Sequence, residues 1–215
     1  MRLDVPGPAG LLEALLDSPF NELEGPPLKL PRAAVVFAHP HPRQGGTMHT
    51  KAVFQGSKSL VRIGCAVLRF NFRGVGSSEG EFDEGRGEIE DFKAALDFMA
   101  ARYLNVPVWA AGFSFGSWIA LETGAADPRV SALIGLAPPV TRQGYAFPLT
   151  LETTKPKFFV QGDLDELCPL KDLWAFYAKL KEPKELVVID GANHLFETKT
   201  EEVGDVLEGL LGDTD

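Results

Sequence analysis

Gly112-Phe113-Ser114-Phe115-Gly116 sets a serine between small residues where the apolar run Val106–Gly112 gives way to an amphipathic segment. A serine on such a strand-to-helix turn is held in a strained backbone conformation with its hydroxyl clear of the sheet. Small residues two positions either side let strand and helix approach closely. The plainer alternative is a glycine-rich turn in which Ser114 only caps the next helix. A serine hydroxyl is a weak nucleophile at neutral pH and needs a histidine oriented by a carboxylate. Of the four histidines, His39, His41 and His49 precede Ser114, whereas His194 follows the last apolar run in Asp190-Gly191-Ala192-Asn193-His194. A turn of this type takes its partners in the order serine, acid, histidine, which selects His194 as base. The acid falls in Gly162-Asp163-Leu164-Asp165-Glu166, which follows the run Lys157–Gln161 and offers two aspartates and a glutamate.

These groups must be positioned by strands. Ala33–Ala38, Ala66–Phe70, Val106–Gly112, Ala132–Ala137, Lys157–Gln161 and Leu186–Ile189 are short, rich in β-branched or aromatic residues, and several end in Gly or Pro, so they read as buried strands. Segments near 48–62, 87–103, 115–125, 170–181 and 195–211 have helical spacing; in the second, Ile89, Phe92, Ala95, Leu96 and Met99 share a face. Strands alternating with helices predict a mostly parallel sheet with helices on both faces, and in open sheets of this kind chemistry collects at the carboxyl ends of the strands. Gly10–Asp17 is ambiguous between a helix and a short antiparallel edge strand.

The 215 residues, 45% of them hydrophobic, suit one α/β domain spanning 1–215. A net charge of −9 with scattered Lys and Arg argues against a nucleic-acid partner. No signal-like amino terminus and no apolar stretch near the roughly 20 residues that span a bilayer is apparent, so no membrane association and a cytoplasmic location are expected. Cys65 and Cys168 form neither a disulfide framework nor a C-x-x-C pair and are expected to be reduced, Cys65 as strand core.

The Gly-x-Ser-x-Gly turn, the Gly162-x-x-Asp165-x-x-x-Pro169 loop and the Gly-Ala-Asn-His194 loop together resemble the α/β-hydrolase superfamily from about Ala33 onward. More narrowly, His39-Pro40-His41-Pro42 with Gly45-Gly46-Thr47-Met48, then Arg69-Phe70-Asn71-Phe72-Arg73-Gly74-Val75-Gly76-Ser77-Ser78-Glu79-Gly80, is similar to small lidless bacterial hydrolases related to dienelactone hydrolases and carboxylesterases. The resemblance implies an α/β-hydrolase fold without a cap domain and, by the usual spacing from the loop glycine, Asp165 rather than Asp163 as the acid. Dienelactone hydrolases proper carry cysteine at the turn and haloalkane dehalogenases aspartate, so Ser114 argues against both activities. Serine hydrolysis of a small carboxylic ester, thioester or amide remains, with no cofactor.

Acyl transfer also needs donors for the developing oxyanion. One is the backbone N–H of Phe115, after the nucleophile. The other should come from the loop after Ala33–Ala38; Pro40 and Pro42 have no N–H to give, which leaves His41. A competing reading makes His39, His41 and His49 a metal cluster, but no nearby cysteine completes it and no metal is expected; His49 reads as a surface helix residue. Arg73–Ser77 lacks the Lys of a phosphate loop and reads as a turn shaping one wall of the acyl site. Trp118 and Trp174–Tyr177 read as core packing.

Only residues 138–156 separate the expected strands Ala132–Ala137 and Lys157–Gln161, with Pro138, Pro139, Pro148 and Pro156 among them, too little chain for a multi-helix cap. The site is therefore expected to be open and shallow and to favour short acyl groups. A catalytically silent binding protein on the same fold is the second reading, since fold does not fix function. A prolyl-type peptidase would need pockets usually built from extra domains.

Overall fold

The computed structural model describes residues 1–20 and 29–212. Three fully buried strands, β3 (Ala34–Ala38), β4 (Ala66–Phe70) and β5 (Val108–Phe113), form the middle of an eight-stranded sheet. β6 (Val130–Leu136), β7 (Lys157–Gly162) and β8 (Lys184–Ile189) extend it on one side. β1 (Arg2–Gly7) and β2 (Gly10–Asp17) extend it on the other, giving the order β1-β2-β4-β3-β5-β6-β7-β8. β3 to β8 pair in parallel, whereas β1 and β2 form an antiparallel hairpin that joins β4 through β2. Parallel strands buried on both faces explain the near-continuous apolar runs in the sequence.

Side chains of β3 alternate between two cores. Ala34, Val36 and Ala38 join one core with α2 (Arg86–Arg102) and α3 (Phe115–Ala126). Val35 and Phe37 join the other with α1 (Lys51–Arg62) and α6 (Thr200–Gly212). This is an α/β-hydrolase architecture with helices on both faces. Among the described residues no helix is long and apolar enough to cross a membrane.

Several boundaries differ from the sequence reading. Gly10–Asp17 is a strand with Leu12, Ala14 and Leu16 buried at a period of two, and it lies second from the edge because Arg2–Gly7 pairs outside it. β1 was not anticipated, since a six-residue strand containing Pro6 has little apolar signal of its own. α6 begins at Thr200, not at 195: Phe196 and Thr198 adopt positive φ, and Phe196 buries itself from a loop against Phe113. The 170–181 segment ends as α5 (Leu170–Tyr177), and its Trp174 is 47% exposed, so the core-packing assignment fails there. Between β6 and β7 the one helix is α4 (Pro148–Glu152), tied down by Glu122, which accepts from the Leu149 and Thr150 N–H groups and the Thr150 hydroxyl. No cap is built there.

Candidate active site

Ser114 occupies the turn between β5 and α3 with φ 52° and ψ −120°, a backbone conformation that side-chain-bearing residues rarely adopt. Packing holds it there. The Ser114 N–H donates to Leu136 O on β6, while its carbonyl accepts from the Ser117 and Trp118 N–H groups and the Ser117 hydroxyl. A Cβ on Gly112 would come within 2.1 Å of Gly116 O, and one on Gly116 within 2.4 Å of His39 O, so neither position has room for a side chain. Ser114 therefore stands at the carboxyl edge of the sheet, where the loops after β7 and β8 also arrive.

Those two loops are bonded to each other. The Asp163 N–H donates to Ile189 O and the Leu164 N–H to Ala192 O, and a Cβ on Gly162 would collide with Ala192 O at 2.2 Å. The contact brings His194 over Asp165. His194 Nδ1–H donates to Asp165 Oδ2 at 2.8 Å, and Nε2 lies 2.8 Å from Ser114 Oγ, so the serine hydroxyl can donate to it. Asp165 is fixed on every side: Oδ1 accepts from the Leu167 and Cys168 N–H groups, and Oδ2 also accepts from Gln161 Nε2. Asp163 has no such link to His194; its Oδ1 is buried with no hydrogen-bond partner among the described residues.

Sequence reasoning overlooked Gln161. Its Nε2 bridges Asp165 Oδ2 and Cys168 O, which locks the acid loop back onto the strand that carries it. A polar residue closing the apolar run Lys157–Gln161 was the available signal. Sequence reasoning considered His39 only in the rejected metal-cluster reading and gave it no role of its own. The ring is fully buried; Nδ1–H donates to Pro40 O at 2.6 Å and Nε2 accepts the Phe72 N–H at 3.1 Å. Both nitrogens are thus engaged by the main chain, leaving none for a metal. Burial, opposed by the Pro40 bond and aided by His41, pushes its pKa down to about 4. His39 braces the loop that carries His41.

Phe115 is the first residue of α3, and neither its N–H nor that of His41 finds a protein acceptor among the described residues. The His41 ring packs between Phe82 and Phe115, its Nδ1 accepting the Arg43 N–H. Burial lowers its pKa, with Arg142 and Arg43 acting in the same direction. His49 is exposed, but it lies in the turn before α1 rather than in a helix. The Arg73–Ser77 loop does not wall the site. It is held away by Asp91, which pairs with Arg73, and by Glu13, which accepts the Ser77 N–H. Instead a cavity of about 220 Å³ beside Ser114 and His194 is walled by Pro139, Thr141, Arg142 and Tyr145, with Leu167 at the acid loop. The short segment after β6 thus builds a wall without building a cap. Trp118 stacks on Tyr145 at 4.6 Å and donates to Ala146 O, so it supports that wall.

A family model described as serine aminopeptidase, S33, matches residues 29–155, which include Ser114 and stop short of Asp165 and His194. The chain is 36% identical over 205 residues to the uncharacterized protein RP471 of Rickettsia prowazekii (strain Madrid E), covering 91% of this chain and 86% of that protein. An α/β serine hydrolase homologue from Coxiella burnetii superposes with a TM-score of 0.87 at 37% identity, covering 98% of this chain and 97% of its own. XC6422 from Xanthomonas campestris, described as an α/β serine hydrolase without lid, gives a TM-score of 0.85 at 30% identity, covering 97% and 92%.

Proposed function

The chain belongs to the serine aminopeptidase S33 family of α/β serine hydrolases, and from that premise we propose that it is a cytoplasmic carboxylic-ester hydrolase working on a small acyl compound. The observation that carries this reading is the unbroken chain Ser114 Oγ, His194 Nε2, His194 Nδ1, Asp165 Oδ2, both of its hydrogen bonds 2.8 Å long, beginning on a strained turn.

In the proposed reaction Ser114 Oγ attacks the ester carbonyl carbon as its proton passes to His194 Nε2. The oxygen that becomes negative is received by the N–H groups of Phe115 and His41, each donor of this kind contributing about 3 kcal/mol. The C–O bond to the alcohol breaks, the alcohol leaves with the proton from His194, and the acyl group stays on Ser114. Water then gives a proton to His194 and attacks the acyl-enzyme, releasing the acid and returning the proton to Ser114. Asp165 keeps Nδ1–H in place and stabilises the imidazolium. A thioester would react by the same steps with a thiol leaving.

The family description keeps an aminopeptidase reading in view. Such an enzyme has to hold a substrate ammonium, for which a carboxylate is the natural partner. Among the described residues the charged side chain lining this cleft is Arg142, and Asp165 is already taken by His194, which favours the ester reading. The test is a screen of acyl esters, thioesters and aminoacyl amides against wild type and Ser114→Ala, with acyl length varied below the micelle threshold. Acetyl to hexanoyl esters should be best, because a buried CH₂ contributes about 0.8 kcal/mol only where protein covers it. Loss of all ester turnover in Ser114→Ala is expected; a preference for aminoacyl amides, or for twelve carbons and beyond, would replace this reading.

A further inference from the structure

Arg142 lies on the wall of the cleft, its guanidinium 5.9 Å from the centre of the Tyr145 ring, and no carboxylate pairs with it among the described residues. Other arginines are placed differently: Arg69 faces Asp17, Arg73 faces Asp91 and Arg129 faces Asp127 and Asp97. A second guanidinium, Arg43, stands 4.8 Å from the centre of the Phe82 ring, which touches His41, and it too lacks a carboxylate partner among the described residues. In a chain of net charge −9, a cation on the wall of the cleft that holds Ser114 and a second one beside His41, neither paired with an acid among the described residues, are a local reversal of sign. The field reaches into the site, since both arginines hold the His41 pKa down after burial has done so. Glu88 is the acid that acts on the nearby Tyr145, but its oxygens are taken by the Asp83 and Gly85 N–H groups.

We propose that the cleft takes an acyl compound bearing a carboxylate, its anionic end held by Arg142 at the rim with Arg43 adding to the field. This rests on the ester-hydrolase reading above and names the substrate class of that same site. A guanidinium supplies paired N–H donors to a carboxylate. The Tyr145 ring beneath Arg142, itself stacked on Trp118, orders that side chain before ligand arrives. Leu167, which lines the same cleft, adds apolar surface for the methylenes between the two ends of such an acid.

The experiment compares ethyl hydrogen adipate with its uncharged counterpart ethyl hexanoate in a pH-stat assay, reading the ratio of their kcat/KM values. The charged ester should be favoured in wild type at low salt, and the preference should shrink as salt is raised. Arg142→Gln should lower the ratio by roughly three- to tenfold, mainly through KM, the scale of one partly exposed charge contact. Arg142→Lys should keep much of it. A ratio below one in wild type, or one indifferent to Arg142→Gln, would overturn the proposal. A preference confined to 4-acetoxybenzoate over 4-acetoxybenzamide would move the anion to the leaving group and overturn the acyl assignment. If no ester is turned over, the ester-hydrolase reading fails separately, and calorimetric titration of adipate into Ser114→Ala still decides the anion site. Binding weakened by adding Arg142→Gln supports it; equal or absent binding in both proteins overturns it.

Discussion

Two loops at the carboxyl edge of the sheet each carry a buried histidine, and they use it in opposite ways. His39, after β3, gives Nδ1–H to a backbone carbonyl and receives a backbone N–H at Nε2. His194, after β8, gives Nδ1–H to a carboxylate and turns Nε2 to a hydroxyl. Burial is nearly equal, 0% and 4% exposed. The partners make the difference. A carbonyl dipole fixes a neutral ring but offers no full negative charge to an imidazolium, whereas a carboxylate does both. One ring is thereby a brace for the loop of His41, and the other is suited to accept and return a proton.

Removing the carboxylate's charge sharpens the contrast most. Asp165→Asn should lower kcat for esters by about 10³–10⁴-fold, because an amide nitrogen facing Nδ1 disfavours the tautomer that leaves Nε2 free. Far-ultraviolet circular dichroism and thermal melts should show the fold retained. Asp163→Asn, in the same loop but without contact to His194, should change kcat less than tenfold. The reverse order in the two variants would break the assignment of the acid.

Breaking the brace should cost stability more than chemistry. His39→Ala leaves the Phe72 N–H without its acceptor and opens a cavity in the core, a loss of roughly 2–4 kcal/mol in urea unfolding. A pH signature accompanies it. Because the folded pKa of His39, about 4, lies below the 6.5 of an unfolded chain, the unfolded state binds the extra proton between those values. Stability is therefore full above pH 6.5 and falls as the pH drops toward 4, by about 3 kcal/mol for this group alone. His39→Gln, which keeps one donor and one acceptor but cannot titrate, should flatten that part of the stability profile. An unchanged slope would mean that other groups govern acid unfolding.

Much of this arrangement was legible in the chain because its causes are local. The glycines around Ser114, the Gly162-to-Asp165 spacing and a lone histidine after the last strand are short-range signals, and the alternation of apolar runs with amphipathic segments gave the sheet. What escaped depends on contacts distant in sequence. β1 exists as a strand only because β2 lies beside it. The helical spacing around residue 195 came from Phe196, an apolar side chain buried from a loop by packing on Phe113. The wall formed by Pro139, Thr141, Arg142 and Tyr145 could not be told from an ordinary connection, and Arg73–Ser77 looked like a wall because its tie to Asp91 on α2 is invisible in sequence. His39 was visible as a histidine, yet the Phe72 N–H that defines its role lies thirty-three positions away.

Whether Ser114 is an activated nucleophile can be read out with a fluorophosphonate probe, which bonds covalently to such a serine. One probe per chain is expected, mapped by peptide mass spectrometry to Ser114, absent in Ser114→Ala, slowed by orders of magnitude in Asp165→Asn and little changed in Asp163→Asn. Wild-type protein that stays unlabelled while folded, or that is labelled at another residue, would contradict it and leave a binding protein on a hydrolase fold.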